Sequence, residues 1–82
     1  MRKSFTYPAE ITLKSIYYRR LETAFRIDSI LAQRGISATV TSRVSRNETF
    51  VSYTITALFE SADHLEELCR SLSSLDGFLM IL

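Results

Sequence analysis

Three stretches of the chain alternate apolar and polar residues with a period of two, which is typical of a strand with one buried face. They cover about residues 11–18, 36–44 and 49–59. The third pattern is the strongest, because its odd-numbered positions are apolar from Val51 onward and Ser or Thr fills most of the others. The apolar run 78–82 predicts a fourth, short strand.

Apolar residues at helical spacing lie between the first two strands and again after the third. The first helix is predicted from about Arg20 to Arg34, and its apolar stripe comprises Leu21, Ala24, Ile27 and Leu31, with Phe25 beside it. Gly35 follows a cationic last turn and predicts the end of this helix. The stripe of the second helix comprises Leu65, Leu68, Leu72 and Leu75. Ser61 is its predicted N-cap, and Asp76-Gly77 is predicted to end it.

The predicted order of elements is therefore β-α-β-β-α-β. The polar stretch 45–48 joins the second and third strands and predicts an antiparallel hairpin. Two right-handed crossovers around such a hairpin give an α+β, ferredoxin-like sandwich, in which a four-stranded antiparallel sheet carries two helices on one face. We expect residues 1–82 to form a single domain with a short N-terminal arm, residues 1–8.

The two faces of the predicted sheet differ in polarity. The predicted core comprises Leu13, Val40, Tyr53, Ile55, Leu65, Leu68 and Leu72, with Ile11 and Tyr17 also facing inward. The outer face offers Thr12, Lys14, Thr39, Thr41, Arg43, Ser52, Thr54 and Thr56, with Phe50 at its rim. We therefore expect the outer face to consist mainly of hydroxyl groups with few charges.

Charge is unevenly distributed although the net charge is only +1. Residues 1–50 hold nine basic and four acidic side chains, a net +5, whereas residues 51–82 have a net charge of −4. The favoured interpretation is ordinary solvated surface. The alternative is a basic patch that contacts an anion or a partner, and its candidate residues are Arg19, Arg20, Arg43 and Arg46.

The residue types that support catalysis are scarce. His64 is the single histidine and Cys69 the single cysteine, so the sequence offers no metal-ligand spacing and no catalytic arrangement of Ser, His and Asp. Cys69 borders the leucine stripe and is expected to be a structural thiol. We expect no enzyme activity, no cofactor and no metal site.

Three classes of protein share this order of elements. Acylphosphatases hold phosphate with an arginine after the first strand and an asparagine elsewhere; Arg19, Arg20 and Asn47 are placed similarly, but the glycine-bearing anion cradle is missing. RNA recognition motifs stack bases on outer-face aromatics, whereas Tyr53 is predicted to point inward, so nucleic acid is not the expected partner. ACT domains usually meet their effector at a glycine-containing turn after the first strand, and residues 17–21 contain no glycine.

The chain resembles the YbeD-like family, small bacterial proteins of unassigned function with an ACT-like fold. The resemblance covers residues 7–82 and rests on Tyr7-Pro8, on Ser45, Phe50, Ser52, Thr54, Ile55 and Thr56 through the hairpin, and on the closing Met80-Ile81-Leu82. Some relatives have Gly where this chain has Glu48. The resemblance implies no catalytic residue and no cofactor, and it suggests a regulatory or protein-interaction role.

We therefore expect a non-catalytic regulatory or protein-interaction module with an unidentified protein partner; the alternative is a binder of an anionic ligand or nucleic acid through the basic first half. The exposed edges of strands two and four, or the outer face, favour a homodimer. The other expectation is a monomer whose edges the N-terminal arm protects. With one cysteine and no signal-peptide or membrane-spanning apolar run, the cytoplasm is the expected location.

Overall fold

The computed structural model of the protein describes residues 5–82 and confirms the predicted order of elements. The elements are β1 (Ala9–Tyr18), α1 (Thr23–Gln33), β2 (Ala38–Val44), β3 (Phe50–Phe59), α2 (Ala62–Ser73) and β4 (Phe78–Ile81). Residues 1–4 of the predicted N-terminal arm lie outside the described residues.

The four strands form one antiparallel sheet in the order β2-β3-β1-β4, as the ferredoxin-like fold requires. The two long strands, β1 and β3, lie in the centre and pair over their whole length, from Ala9 opposite Phe59 to Tyr18 opposite Phe50. The short strands β2 and β4 are the edges. A register shift between Ile16 and Tyr17 interrupts the pairing of β1 with β4.

The core lies between the inner face of the sheet and the two helices. Five of the seven predicted core residues are buried (Leu13, Tyr53, Ile55, Leu68 and Leu72), and the other two, Val40 and Leu65, are half-buried and pack against them. Tyr17 is fully buried, and its hydroxyl donates a hydrogen bond to the backbone oxygen of Leu72 at 2.9 Å. This bond satisfies the polar end of a large core side chain and ties β1 to α2.

The apolar stripe predicted for α1 is partly wrong. The helix begins at Thr23 rather than near Arg20, and Leu21 and Phe25 are both exposed. Residues 19–22 form the connection from β1, so Leu21 precedes the helix. Its three-residue spacing from Ala24 therefore does not place it on the buried face of α1. The buried residues of α1 are Thr23, Ile27 and Leu31, which are spaced by four.

The ends of the helices follow local chemistry. Gly35 has φ 67°, and its N–H and that of Ile36 donate to the carbonyls of Ala32 and Leu31, a Schellman motif that ends α1 as predicted. Ile36 is used in this cap and is buried, so β2 begins at Ala38 instead of Ile36. At the start of α2 the Ser61 hydroxyl accepts a hydrogen bond from the backbone N–H of His64, which confirms the predicted N-cap.

Candidate functional site

Both helices pack on one face of the sheet, so the outer face is uncovered. Pairing between β1 and β3 places Thr12 opposite Thr56 and Lys14 opposite Thr54, and β2 adds Thr39 and Thr41 beside them. The hydroxyls of Thr12 and Thr56 are 2.9 Å apart and share a hydrogen bond. The middle of this face is therefore polar and rich in hydroxyls, as the sequence predicts.

One end of the outer face is apolar, which the sequence pattern did not predict. Ile16, Phe50, Leu79 and Met80 lie together there, with Val44 at the adjacent end of β2. Leu79, Met80 and Val44 are substantially exposed. β4 is apolar throughout, so its sequence carried no alternation to show which residues face outward. Sequence reasoning also left Ile16 unassigned, although it shares a face with Thr12 and Lys14 at the period of a strand.

These residues form the floor of a groove of about 720 Å³, which we call the outer groove. It crosses all four strands. Its cationic lining consists of Lys14, Arg43 and Arg46; its apolar lining consists of Ile16, Val44, Phe50, Leu79 and Met80; Ser45, Val51 and Ser52 complete it. The groove therefore combines three positive charges with an exposed apolar surface and has no carboxylate among its lining residues.

The three cations of the outer groove are not neutralised by acidic side chains within residues 5–82, because none of the ion pairs found there includes Lys14, Arg43 or Arg46. A cation that already has a carboxylate partner must lose it before it binds another anion. These three side chains do not have that cost. Two of them, Arg43 and Arg46, were predicted as contact residues, and Lys14 was recognised on the outer face but not as part of a site.

The other two predicted contact residues, Arg19 and Arg20, lie apart from the outer groove and already have partners. Arg19 donates to the Glu48 carboxylate at 2.8 Å, and Arg20 donates to the Asp76 carboxylate at 3.2 Å. The Arg20 guanidinium also lies 5.9 Å from the centroid of the Tyr18 ring. Both arginines line a second cavity of about 450 Å³ together with Arg26, Glu22 and Asp76. The four arginines therefore form two groups, of which only the Arg43 and Arg46 group is electrostatically unbalanced.

The residues with catalytic potential lie elsewhere. Cys69 is half-buried on α2, and burial, with a smaller effect from Glu66, raises the pKa of its thiol, which therefore stays protonated at neutral pH. The His64 ring packs edge-on against the Phe59 ring, with 5.7 Å between the two ring centroids. Asn47, considered above as a phosphate ligand, accepts hydrogen bonds from the Ser45 hydroxyl and the Thr49 N–H and so holds the hairpin turn.

Two further properties concern the described part of the chain as a whole. Within residues 5–82 the side chains of His, Cys, Asp and Glu nowhere gather in the groups of three that could hold a metal ion. Neither α1 nor α2 has the length and apolar character that crossing a bilayer requires.

The chain is similar to two solved structures over most of its length. Protein HP0495 from H. pylori superposes with a TM-score of 0.81 at 17% identity, covering 99% of this chain and 88% of that protein. The ACT domain from the GTP pyrophosphokinase of Chlorobium tepidum superposes with a TM-score of 0.76 at 9% identity, covering 89% of this chain and 94% of that domain. At these identities the likeness concerns the fold, which is ACT-like and ferredoxin-like.

Sequence comparison leads to a family rather than to an activity. No curated protein matches the chain. Residues 2–82 match the model of a family described as "Protein of unknown function (DUF493)", so the chain belongs to this family, the YbeD-like family that the hairpin and C-terminal motifs predicted.

Proposed function

We propose that the protein is a non-catalytic regulatory module that acts by binding a partner protein in the outer groove. One observation carries this proposal: an uncovered sheet face presents three cations without carboxylate partners next to an exposed apolar floor. Such a surface costs solubility when it is left free, and its burial against a complementary surface is favourable. The outer groove therefore has both features of a binding surface: cations that can pair with an anionic group and apolar side chains that can be buried.

The chemistry of the groove supports a binding role rather than a catalytic one. Its polar side chains are those of lysine, arginine and serine, and these cations can hold an anion in place. The Cys69 thiol and the His64 imidazole are both on α2, on the opposite side of the sheet from the groove. The ACT-like fold of the family is compatible with a regulatory module.

Site-specific photo-crosslinking in the native cytosol tests this function. We would place p-benzoylphenylalanine at Ser52, in the middle of the groove, and as a matched control at Thr39, which lies on the same face at its far end. The expected result is one discrete protein adduct from position 52 that is absent from position 39. The adduct should disappear when Arg43→Glu and Arg46→Glu are added. Equal labelling from both positions would contradict the proposal.

A second candidate, binding of a small anionic molecule, is favoured by the size of the groove. A volume of about 720 Å³ lies within the range of about 300–1,000 Å³ that is common for small-molecule sites. An NMR titration of the labelled protein with a panel of carboxylates and phosphates tests it. Saturable shifts at Ile16, Ser52 and Met80, in the absence of any crosslinked protein, would favour this second function over the first.

A further inference from the structure

The outer groove has two arginines at its β2 end and Leu79 and Met80 at its β4 end, which gives it a direction. One row of cross-strand partners follows the groove through Arg43, Ser52, Ile16 and Met80, on β2, β3, β1 and β4 respectively. Three spacings between strands correspond to roughly 14 Å. An extended peptide rises about 3.3 Å per residue, so roughly four residues cover this distance.

The charges of the groove select the class of its occupant. Arg43 and Arg46 are at the β2 end and Lys14 is on β1, while Leu79 and Met80 are at the β4 end. An occupant that is acidic at one end and apolar at the other satisfies both. A second copy of this chain does not: its groove supplies no acidic side chain, so stacking two such faces sets these cations against either the partner's cations or its apolar end.

Charge and the aromatic side chains disfavour two other occupants. An anionic membrane attracts each basic side chain near its surface by only about 1 kcal/mol, so the three cations of the groove give weak attachment. For a nucleic acid base, stacking requires a free aromatic face. The rings of Tyr18 and Phe50 already pack against each other, with 5.4 Å between their centroids, and the Arg20 guanidinium packs on Tyr18.

We infer that the groove binds an extended segment of a partner protein whose acidic side chains pair with Arg43 and Arg46 and whose nearby aliphatic or aromatic side chain packs on Ile16, Phe50 and Met80. The inference rests on the proposed function and adds the chemistry and the direction of the bound segment: acidic residues over β2, apolar residues towards β4. Lys14 then lies beside the segment and contributes a third positive charge.

Selection from a phage library of random twelve-residue peptides on the wild-type protein tests this inference. The expected result is a consensus in which one or two acidic residues and a large apolar residue lie within four positions of each other, in either order. A synthetic consensus peptide should shift the amide signals of Ile16, Ser52 and Met80. Its affinity should fall at least tenfold for the R43E/R46E variant, and likewise when its acidic residues are replaced by Gln.

A charge-matched control separates the groove from general electrostatics. R26E/R70E changes the net charge by the same amount but lies on α1 and α2, away from the groove; it should bind the peptide within about twofold of wild type. Thermal melts of both variants show whether each remains folded. For a groove variant that unfolds, R43Q/R46Q replaces it, and at least a threefold loss of affinity is then expected.

Four results would overturn the inference. The first is no enriched peptide, and the second is a consensus without acidic residues. The third is an equal loss of affinity in the control variant. The fourth is binding of single-stranded DNA or of phosphatidylglycerol vesicles that R43E/R46E abolishes while peptides do not bind. The crosslinking experiment does not depend on the chemistry of the segment, so an adduct at Ser52 with a failed selection would refute the inference and leave the proposed function standing.

Discussion

At the scale of single residues, the backbone of the β2–β3 turn is the clearest departure from ordinary geometry. Glu48 has φ 61°, in the left-handed region that favours glycine. Its N–H donates to the Ser45 carbonyl, and the Ser45 N–H donates to the Phe50 carbonyl, so the turn holds this conformation. The backbone of this turn, rather than the Glu48 side chain, therefore makes this a position that suits glycine.

We predict that Glu48→Gly is more stable by about 0.5–1 kcal/mol than Arg19→Ala, which lacks the same ion pair, because a left-handed residue other than glycine costs roughly 1–2 kcal/mol and added chain entropy offsets part of the gain. The lost ion pair with Arg19 is exposed and contributes at most about 1 kcal/mol. Urea unfolding measures the change. Arg19→Ala removes the ion pair alone and is the control; a Glu48→Gly variant less stable than Arg19→Ala would contradict this explanation.

The buried tyrosines predict how stability depends on pH. Burial raises the pKa of Tyr17 and of Tyr53 above the ordinary value of 10.0. Well below pH 10 both are neutral in the folded and the unfolded chain. As the pH rises beyond 10, the unfolded chain loses these protons first, so the free energy of unfolding falls.

Urea unfolding at several pH values between 8 and 11 measures this decline. Tyr53→Phe keeps the ring and removes one titrating hydroxyl, so its decline above pH 10 should be shallower than that of the wild type. Parallel curves for the two proteins would show that Tyr53 does not contribute to the alkaline loss of stability.

At the scale of elements, α2 packs on the sheet through residues of the shared core. Leu68 and Ile55 are fully buried, one on each side of the core. Truncation of either to Ala should cost on the order of 2–5 kcal/mol, through lost burial and the cavity left behind. Leu21→Ala is the matched control, because Leu21 is fully exposed, and should change stability by less than about 0.5 kcal/mol. A loss below about 1 kcal/mol for Leu68→Ala or Ile55→Ala would contradict this core.

The elements could be predicted wherever one residue type determines a local interaction. Three predictions of this kind are confirmed: the N-cap Ser61, the helix end at Gly35 and the alternation through β3. Each depends on neighbouring residues in the sequence rather than on tertiary contacts. The start of α1 could not be predicted, because Glu22 makes no side-chain cap and the apolar Leu21 happens to extend the helical spacing into the connection from β1. Tertiary position, not periodicity, decides that Leu21 is exposed.

At the scale of the whole molecule, the outer groove depends on strand register rather than on sequence pattern. Arg43 and Arg46 are close in sequence, but they meet Lys14, Ile16 and Met80 only because β3 and β1 lie between the two edge strands. The alternation of residues along a strand specifies the face of the sheet on which each side chain lies. It does not specify which residues of the neighbouring strands lie beside that side chain. The sequence therefore predicts that the first half of the chain is basic, but it does not predict that its arginines form two separate groups.

The groove arrangement also bears on nucleic acid. We expect no binding of single-stranded RNA or DNA at physiological ionic strength, because the net charge is only +1 and the outer-face rings pack on one another. Gel shifts at micromolar protein over a range of salt concentrations check this. A salt-dependent shift that Arg43→Ala with Arg46→Ala abolishes would contradict it.

Self-association is the remaining prediction at this scale, and charge decides its geometry. Stacking centred on the groove is opposed by Lys14, Arg43 and Arg46, whereas the outer edge of β4 carries no charge: residues 78–82 are all apolar, and Leu79, Met80 and Leu82 are exposed. Edge strands of this kind favour pairing with a second strand. We therefore expect a homodimer through an edge strand, which leaves each groove open.

Light scattering at tens of micromolar protein measures the mass. A dimer has twice the 9.4 kDa of one chain. Leu82→Lys places a charge at the exposed residue directly after β4, whose backbone still pairs with Lys14 of β1, and should shift the mass towards the monomer, because an edge lysine opposes strand addition. Leu58→Lys adds the same charge to the outer face of the central strand β3, where it should leave edge pairing intact. A wild-type protein of monomer mass would eliminate the dimer, and a monomer produced by Leu58→Lys alone would instead indicate association through the outer face.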